Sequence, residues 1–209
     1  MEIVTSEEKK FFEENGYLLV KNVLPKENCE AVIEALFWFL GMDRDNPADW
    51  YREPLPKGGM VEMYHHQTMW DNRQHPRMHQ VFSELIGNEN LWVTLDRVNL
   101  KPPYHPDHPE YDHHGFIHWD VDTSNLDIPF WVQGVLYLED TTAEMGGFQC
   151  VPGFHRNLKE WIAQQPADRN PRMPDLSRLP EGMKVTPIPG EAGDLLIWNR
   201  LLEIGRAHV

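Results

Sequence analysis

Cysteine is scarce in this sequence: only Cys29 and Cys150 occur in 209 residues. Two thiols cannot build a disulfide framework, which points to a reducing compartment. Basic residues are also few, 19 Lys and Arg against 33 Asp and Glu, for a formal net charge of −14. That balance argues against the basic surfaces that nucleic acids and anionic membranes select. No apolar run reaches the roughly 20 residues of a membrane span. The longest, Ala31 to Leu40, contains Glu34 and stops at Gly41. Residues Met1 to Glu8 lack the basic-then-apolar order of a secretory leader. These absences set the expectation of a cytoplasmic protein with no nucleic-acid or membrane partner; they do not set an oligomeric state. What is present is globular: 41% hydrophobic residues, 11% aromatic, and a length suited to one domain.

Local signals order the chain. Thr5 or Ser6 caps a helix that Gly16 stops, and Tyr17 to Val20 follows as a strand. Pro25 opens a second helix that Gly41 closes, with Val32, Ala35, Leu36 and Phe39 as its apolar stripe. Met42 to Pro76 is irregular; its Tyr64, His65, His66, Gln67 and Trp70 either shape a pocket or pack as an ordinary loop. Pro76 to Ile86 reads as a helix, and Leu91 to Lys101 as a strand with Leu91, Val93 and Leu95 in the core. Arg97 and Asn99 continue that face, into a polar pocket or out to solvent. Phe130 to Leu138 is apolar on both faces and reads as a buried strand, with Gln133 as its one strongly polar side chain. The region from Ala167 to Pro180 reads as loop, and Met183 to Ile188 and Asp194 to Trp198 as strands. The sum is an α+β chain, mainly β, with an antiparallel sandwich or barrel behind two N-terminal helices.

The chemistry concentrates in Gly115-Phe116-Ile117-His118-Trp119-Asp120, read as a strand. Alternate strand residues share a face, so His118 and Asp120 point the same way, with Cα atoms about 6.6 Å apart. An imidazole and a carboxylate so placed can converge on a metal ion. Two histidines and one carboxylate with open positions describe the non-haem iron(II) oxygenase site. The pairs His105/Asp107 and His108/Glu110 share the spacing, but each encloses a proline that excludes a regular central strand. Trp119 should point away from the metal face. Asp122 is a turn residue or a substrate contact.

An ordered set of motifs resembles the phytanoyl-CoA dioxygenase family of iron(II)/2-oxoglutarate oxygenases. It comprises Asn15-Gly16-Tyr17-Leu18-Leu19-Val20, Leu100-Lys101-Pro102-Pro103, His118-Trp119-Asp120, Gly146-Gly147, Val151-Pro152-Gly153-Phe154-His155, and Gly193-Asp194-Leu195-Leu196-Ile197-Trp198. The resemblance implies a double-stranded β-helix (jelly roll) core, with His118 and Asp120 as iron ligands and catalytic residues. It implies Fe(II) as cofactor, 2-oxoglutarate as cosubstrate, and hydroxylation of a small organic substrate, with 2-oxoglutarate and O2 converted to succinate and CO2. Asp120 disfavours the halogenating variant, which lacks that carboxylate. Arg97, Asn99 and Gln133 become cofactor-binding candidates, because family members use these strands around the cosubstrate. A cupin-like metal-dependent isomerase or hydrolase, or a non-catalytic ligand-binding jelly roll, are the alternatives.

The family's distal histidine follows a Pro-His step just after the position of Leu202. Here Glu203-Ile204-Gly205-Arg206-Ala207-His208-Val209 follows instead. That stretch can be written GAG-ATC-GGA-AGA-GCA-CAC-GTC, which from its second base matches a widely used sequencing-library adapter. The expectation is a single oxygenase domain over 1–202, with 203–209 as adapter read-through. His208 and Arg206 are then poor candidates for ligand and 2-oxoglutarate arginine. The last core strands and the distal histidine are expected to be missing, leaving a sheet edge open and the fragment inactive.

Overall fold

Thr5 caps the first helix, α1 (Ser6–Asn15), through a reciprocal capping box. Its hydroxyl accepts from Glu8 N at 3.2 Å, and the Glu8 carboxylate accepts from Thr5 N at 2.8 Å. Gly16, at φ 78°, ends α1, and a Cβ there would strike the His155 ring. The computed structural model describes residues 2–112 and 115–206. After α1 come β1 (Tyr17–Val20), α2 (Lys26–Leu40), β2 (Met60–Val61), α3 (Gln67–Arg73), α4 (Pro76–Ile86) and β3 (Val98–Asn99). Next are β4 (Phe116–His118), β5 (Val132–Leu136), β6 (Phe148–Cys150) and α5 (Leu158–Ala163). The chain continues with β7 (Thr186–Pro187), β8 (Leu195–Asn199) and β9 (Ile204–Arg206).

The strands form antiparallel sheets ordered β1-β8-β5 and β4-β9-β6-β7, with β2 and β3 as a separate pair. Alternation in β1 and β8 assigns one residue set to each face. Leu18, Val20, Leu195 and Ile197 pack under Phe12 of α1 and Met78 and Val81 of α4. Leu196 and Trp198 face the other way, onto Phe148, Cys150 and Ile204 of the four-stranded sheet. The two sheets therefore share an apolar interior, where each fully buried large side chain contributes about 1.5–3 kcal/mol. Helix α2 packs its own cluster with Leu55, Val61, Met63 and Val98. Cys29 and Cys150 are free and buried, as small apolar residues in the core. Among the described residues no helix is long and apolar enough to cross a membrane.

Three expectations change. Helix α2 buries Val32, Ala35 and Leu36 as expected and adds Ile33, Phe37 and Leu40, but Phe39 is 49% exposed. In 91–101 only Val98–Asn99 is strand, and Trp92, Val93 and Leu95 are exposed. Val98 turns into the α2 cluster and puts Arg97 and Asn99 outward, because a period-2 face follows whichever residue is buried. Finally, β5 is an outer strand whose one sheet neighbour among the described residues is β8, and Gly134, Val135 and the preceding Phe130 and Trp131 are exposed rather than buried on both sides. At the far end, β9 lies between β4 and β6 and fills the place where an open edge was expected. The backbone there is so close that a Cβ on Gly205 would collide with the Phe116 carbonyl.

Candidate active site

Strand β4 delivers His118 at its end, and the chain bends at Asp120. His118 Nε2 lies 3.1 Å from Asp120 Oδ1, with both side chains about one-quarter to one-third exposed. The Phe116 ring stacks on the His118 ring at 4.8 Å, restricting its plane. His118 Nδ1 is buried without a hydrogen-bond partner among the described residues. Buried polar atoms are normally satisfied, so this orphan marks a site rather than a finished core.

Two donors of a 2-His-1-carboxylate set are thus together. Among the described residues no group of three His, Cys, Asp or Glu could hold a metal ion. On β9 the register pairs Ile204 directly with His118. Paired residues share a face with Cβ atoms about 4.5–5.5 Å apart, so the position across from His118 holds an aliphatic side chain. His208 lies outside the described residues. Among the described residues, His118 and Asp120 fit two of the protein ligands of an iron centre, and no third donor joins them.

The opposite side of β4 is packed. Trp119 is fully buried, 6.2 Å from the Phe154 ring and 5.7 Å from Trp161 of α5, as its alternation predicts. Glu203 precedes Ile204, and its carbonyl accepts from Val151 N at 3.1 Å. Alternation turns its side chain to the Trp119 face. It is fully buried, neither carboxyl oxygen has a partner among the described residues, and burial pushes its pKa up to about 8.

A distant segment fixes Asp120. Trp119 N donates to Arg172 O at 2.8 Å, and Arg172 Nη1 donates to Asp120 O at 2.9 Å. Thr123 N and Oγ1 both donate to Pro171 O, at 3.1 and 2.5 Å. Arg169 donates to Thr123 Oγ1 at 2.8 Å and to Thr123 O at 2.6 Å. Residues 169–172 therefore act as a strap along 119–123. Nothing in the sequence sets this loop apart, since the contacts are mostly to backbone. Asp122 is a turn residue: its Oδ1 accepts from Ser124 N at 2.8 Å, which holds its carboxyl below the usual range.

The other candidates are dispersed. Arg97 and Asn99 are exposed, and Asn99 Nδ2 sits 3.0 Å from Met60 Sδ. Gln133 pairs with Trp198, so it shares the face turned to the inter-sheet interior, and it is half-buried. His66 caps α3, and His65 stacks on Trp70. His105 and His108 stand 5.0 Å from the Tyr51 ring, in loop as expected. The sequence reading treated Lys101 only as part of a motif. Its Nζ donates to Gly146 O at 2.8 Å, and burial, aided by Arg206, lowers its pKa to about 7. A cavity of about 320 Å³ opens beside Asp120, against Ile128, Pro129, Arg172 and Arg200. A larger one, about 540 Å³, lies against Glu27, Glu30 and Glu34 of α2 and is lined by neither His118 nor Asp120. The smaller cavity is the one next to the candidate chemistry.

A family model described as "Phytanoyl-CoA dioxygenase (PhyH)" matches residues 12–202. A Dictyostelium discoideum protein named "Putative phytanoyl-CoA dioxygenase" is 22% identical, over 94% of this chain and 69% of its own length. The crystal structure of the epimerase SnoN in complex with Fe3+, alpha ketoglutarate and nogalamycin RO superposes with a TM-score of 0.61 at 16% identity, over 97% of this chain and 76% of that one. EvdO2 from Micromonospora carbonacea var. aurantiaca, complexed with 2-oxoglutarate, superposes with a TM-score of 0.63 at 15% identity, over 100% and 87%. At such identities the two structures establish a shared fold.

Proposed function

The chain belongs to the phytanoyl-CoA dioxygenase family, and on that premise we propose an iron(II)- and 2-oxoglutarate-dependent dioxygenase built on a jelly-roll core that hydroxylates a small organic substrate. The observation that carries the reading is the His118 Nε2 to Asp120 Oδ1 approach of 3.1 Å at the end of β4. Iron, when bound, supplies O2 activation, with 2-oxoglutarate oxidised to succinate and CO2 as the substrate gains a hydroxyl group. The chain's own part is positioning. His118 and Asp120 are the metal-holding residues, Phe116 sets the imidazole plane, and the strap holds the Asp120 peptide. Gln133 is the better placed of the proposed 2-oxoglutarate partners, because its face turns inward; Arg97 and Asn99 would have to reach from outside.

The donor set bears on activity. With Ile204 across from His118, this chain holds metal through two side chains, and we assign it weak metal affinity and little or no turnover. Iron(II) titration with succinate formation tests the functional reading. This chain should give little succinate. An Ile204→His form, which adds a donor across from His118, should turn over 2-oxoglutarate and lose that activity in His118→Ala. Ordinary turnover by the present chain would refute the inactivity.

A further inference from the structure

The cavity beside Asp120 has a charge layout that narrows its ligand. Arg200 follows β8, and its backbone N donates to Trp131 O at 3.1 Å, which pins its Cα. Its half-buried guanidinium has no hydrogen bond or ion pair among the described residues. Arg172 is anchored through Nη1 on Asp120 O, which leaves its other N–H groups free of any further hydrogen bond among the described residues. The carboxylates divide differently. Asp120 is turned to His118 and Asp122 is bent back onto Ser124 N. Asp127 also lines the cavity, and its carboxylate has no hydrogen bond or ion pair among the described residues; only its backbone N is engaged, donating to Asn125 Oδ1. Arg200 and Asp127 are thus the charged side chains of the wall without a partner among the described residues, and Arg172 keeps part of its guanidinium open, with Ile128 and Pro129 as apolar wall.

We propose that this cavity receives a small zwitterion, its carboxylate on Arg200 and Arg172 and its ammonium on Asp127. Guanidinium N–H groups form a fork that matches a carboxylate, and a lone carboxylate suits an ammonium. At about 320 Å³ the cavity is near the lower end for small-molecule sites. That volume accommodates a free amino acid or a relative of one. The proposal depends on the oxygenase reading only for calling the zwitterion a substrate.

Binding is measurable without metal or cosubstrate, by ligand-detected NMR on the whole chain with 4-aminobutyrate as probe and butyrate, butylamine and glutarate as controls. The zwitterion should bind at least about tenfold more tightly than either single-charge control, since each charge-assisted hydrogen bond is worth that much or more. Arg200→Ala should reduce it to the level of butylamine, and Asp127→Asn to the level of butyrate. Arg200→Lys, which keeps the charge and guards against a folding defect, should retain part of the binding. Equal binding of all probes, no binding, tighter binding of glutarate, or indifference to both substitutions would overturn the proposal. Such a result would leave the oxygenase reading intact. Conversely, an Ile204→His protein whose succinate formation survived His118→Ala would sink that reading without touching zwitterion binding.

Discussion

Strands β4 and β9 lie side by side in register, yet their side chains do opposite things. On β4, the His118 face carries polar donors and leaves a buried nitrogen unsatisfied, and the Trp119 face is closed by aromatic packing. On β9 and the residue before it the order is reversed. Ile204 puts hydrocarbon on the donor face, and Glu203 puts a carboxyl into the aromatic face. The backbone ladder forms all the same, since inter-strand hydrogen bonds do not read side-chain identity. A scaffold can therefore be complete while its donor set is not.

The comparison can be broken hardest on its packed side. Trp119→Ala should cost about 3–5 kcal/mol, as large-to-small core changes do, read as a drop in the urea midpoint. An unchanged midpoint would mean that the aromatic face is not a core. Ile204→His should convert the aliphatic half into a donor. Cobalt(II) titration followed by its visible absorption should show metal affinity rising by more than the roughly 10–100-fold attached to outer partners of a site. No gain would show that β9 does not aim its side chain at His118. The third test is pH. Glu203 ionises near 4.5 when unfolded and near 8 in the fold. Above pH 4.5 the unfolded chain loses a proton the folded chain retains, so stability should fall until about pH 8 and then level off. Glu203→Gln should remove that slope. Lys101 acts oppositely in a higher window: its pKa is lowered to about 7 from 10.5, so its contribution rises between those values. The smallest effect should come from the strap. Thr123→Val removes the hydroxyl between Pro171 O and Arg169 and should cost about 1 kcal/mol, with a parallel loss in cobalt affinity through Asp120.

How much of this was legible depended on range. Thr5, Gly16 and Gly41 act within one helical turn, and their effects were readable. The His118/Asp120 spacing was readable for the same reason. Which face of residues 91–101 turns inward depends on α2, and exposure of Phe130, Trp131, Gly134 and Val135 depends on β5 lacking an outer neighbour among the described residues. Neither partner is near in sequence. The strap, the Arg200 cavity wall and the burial of Glu203 are likewise products of distant pairing.

The strap also sets a sequence of events. Thr123 and Pro171 are 48 residues apart, and Asp120 and Arg172 are 52 apart. Contacts of that separation carry a loop-closure cost that local turns avoid. His118 and Asp120 should therefore adopt their mutual geometry late in refolding, after the helices have formed. The strap also binds loop residues outside the strands, whereas β8 is paired on both sides; amide protons of 119–123 should therefore exchange before those of β8, so the site would open locally while the sheets still hold.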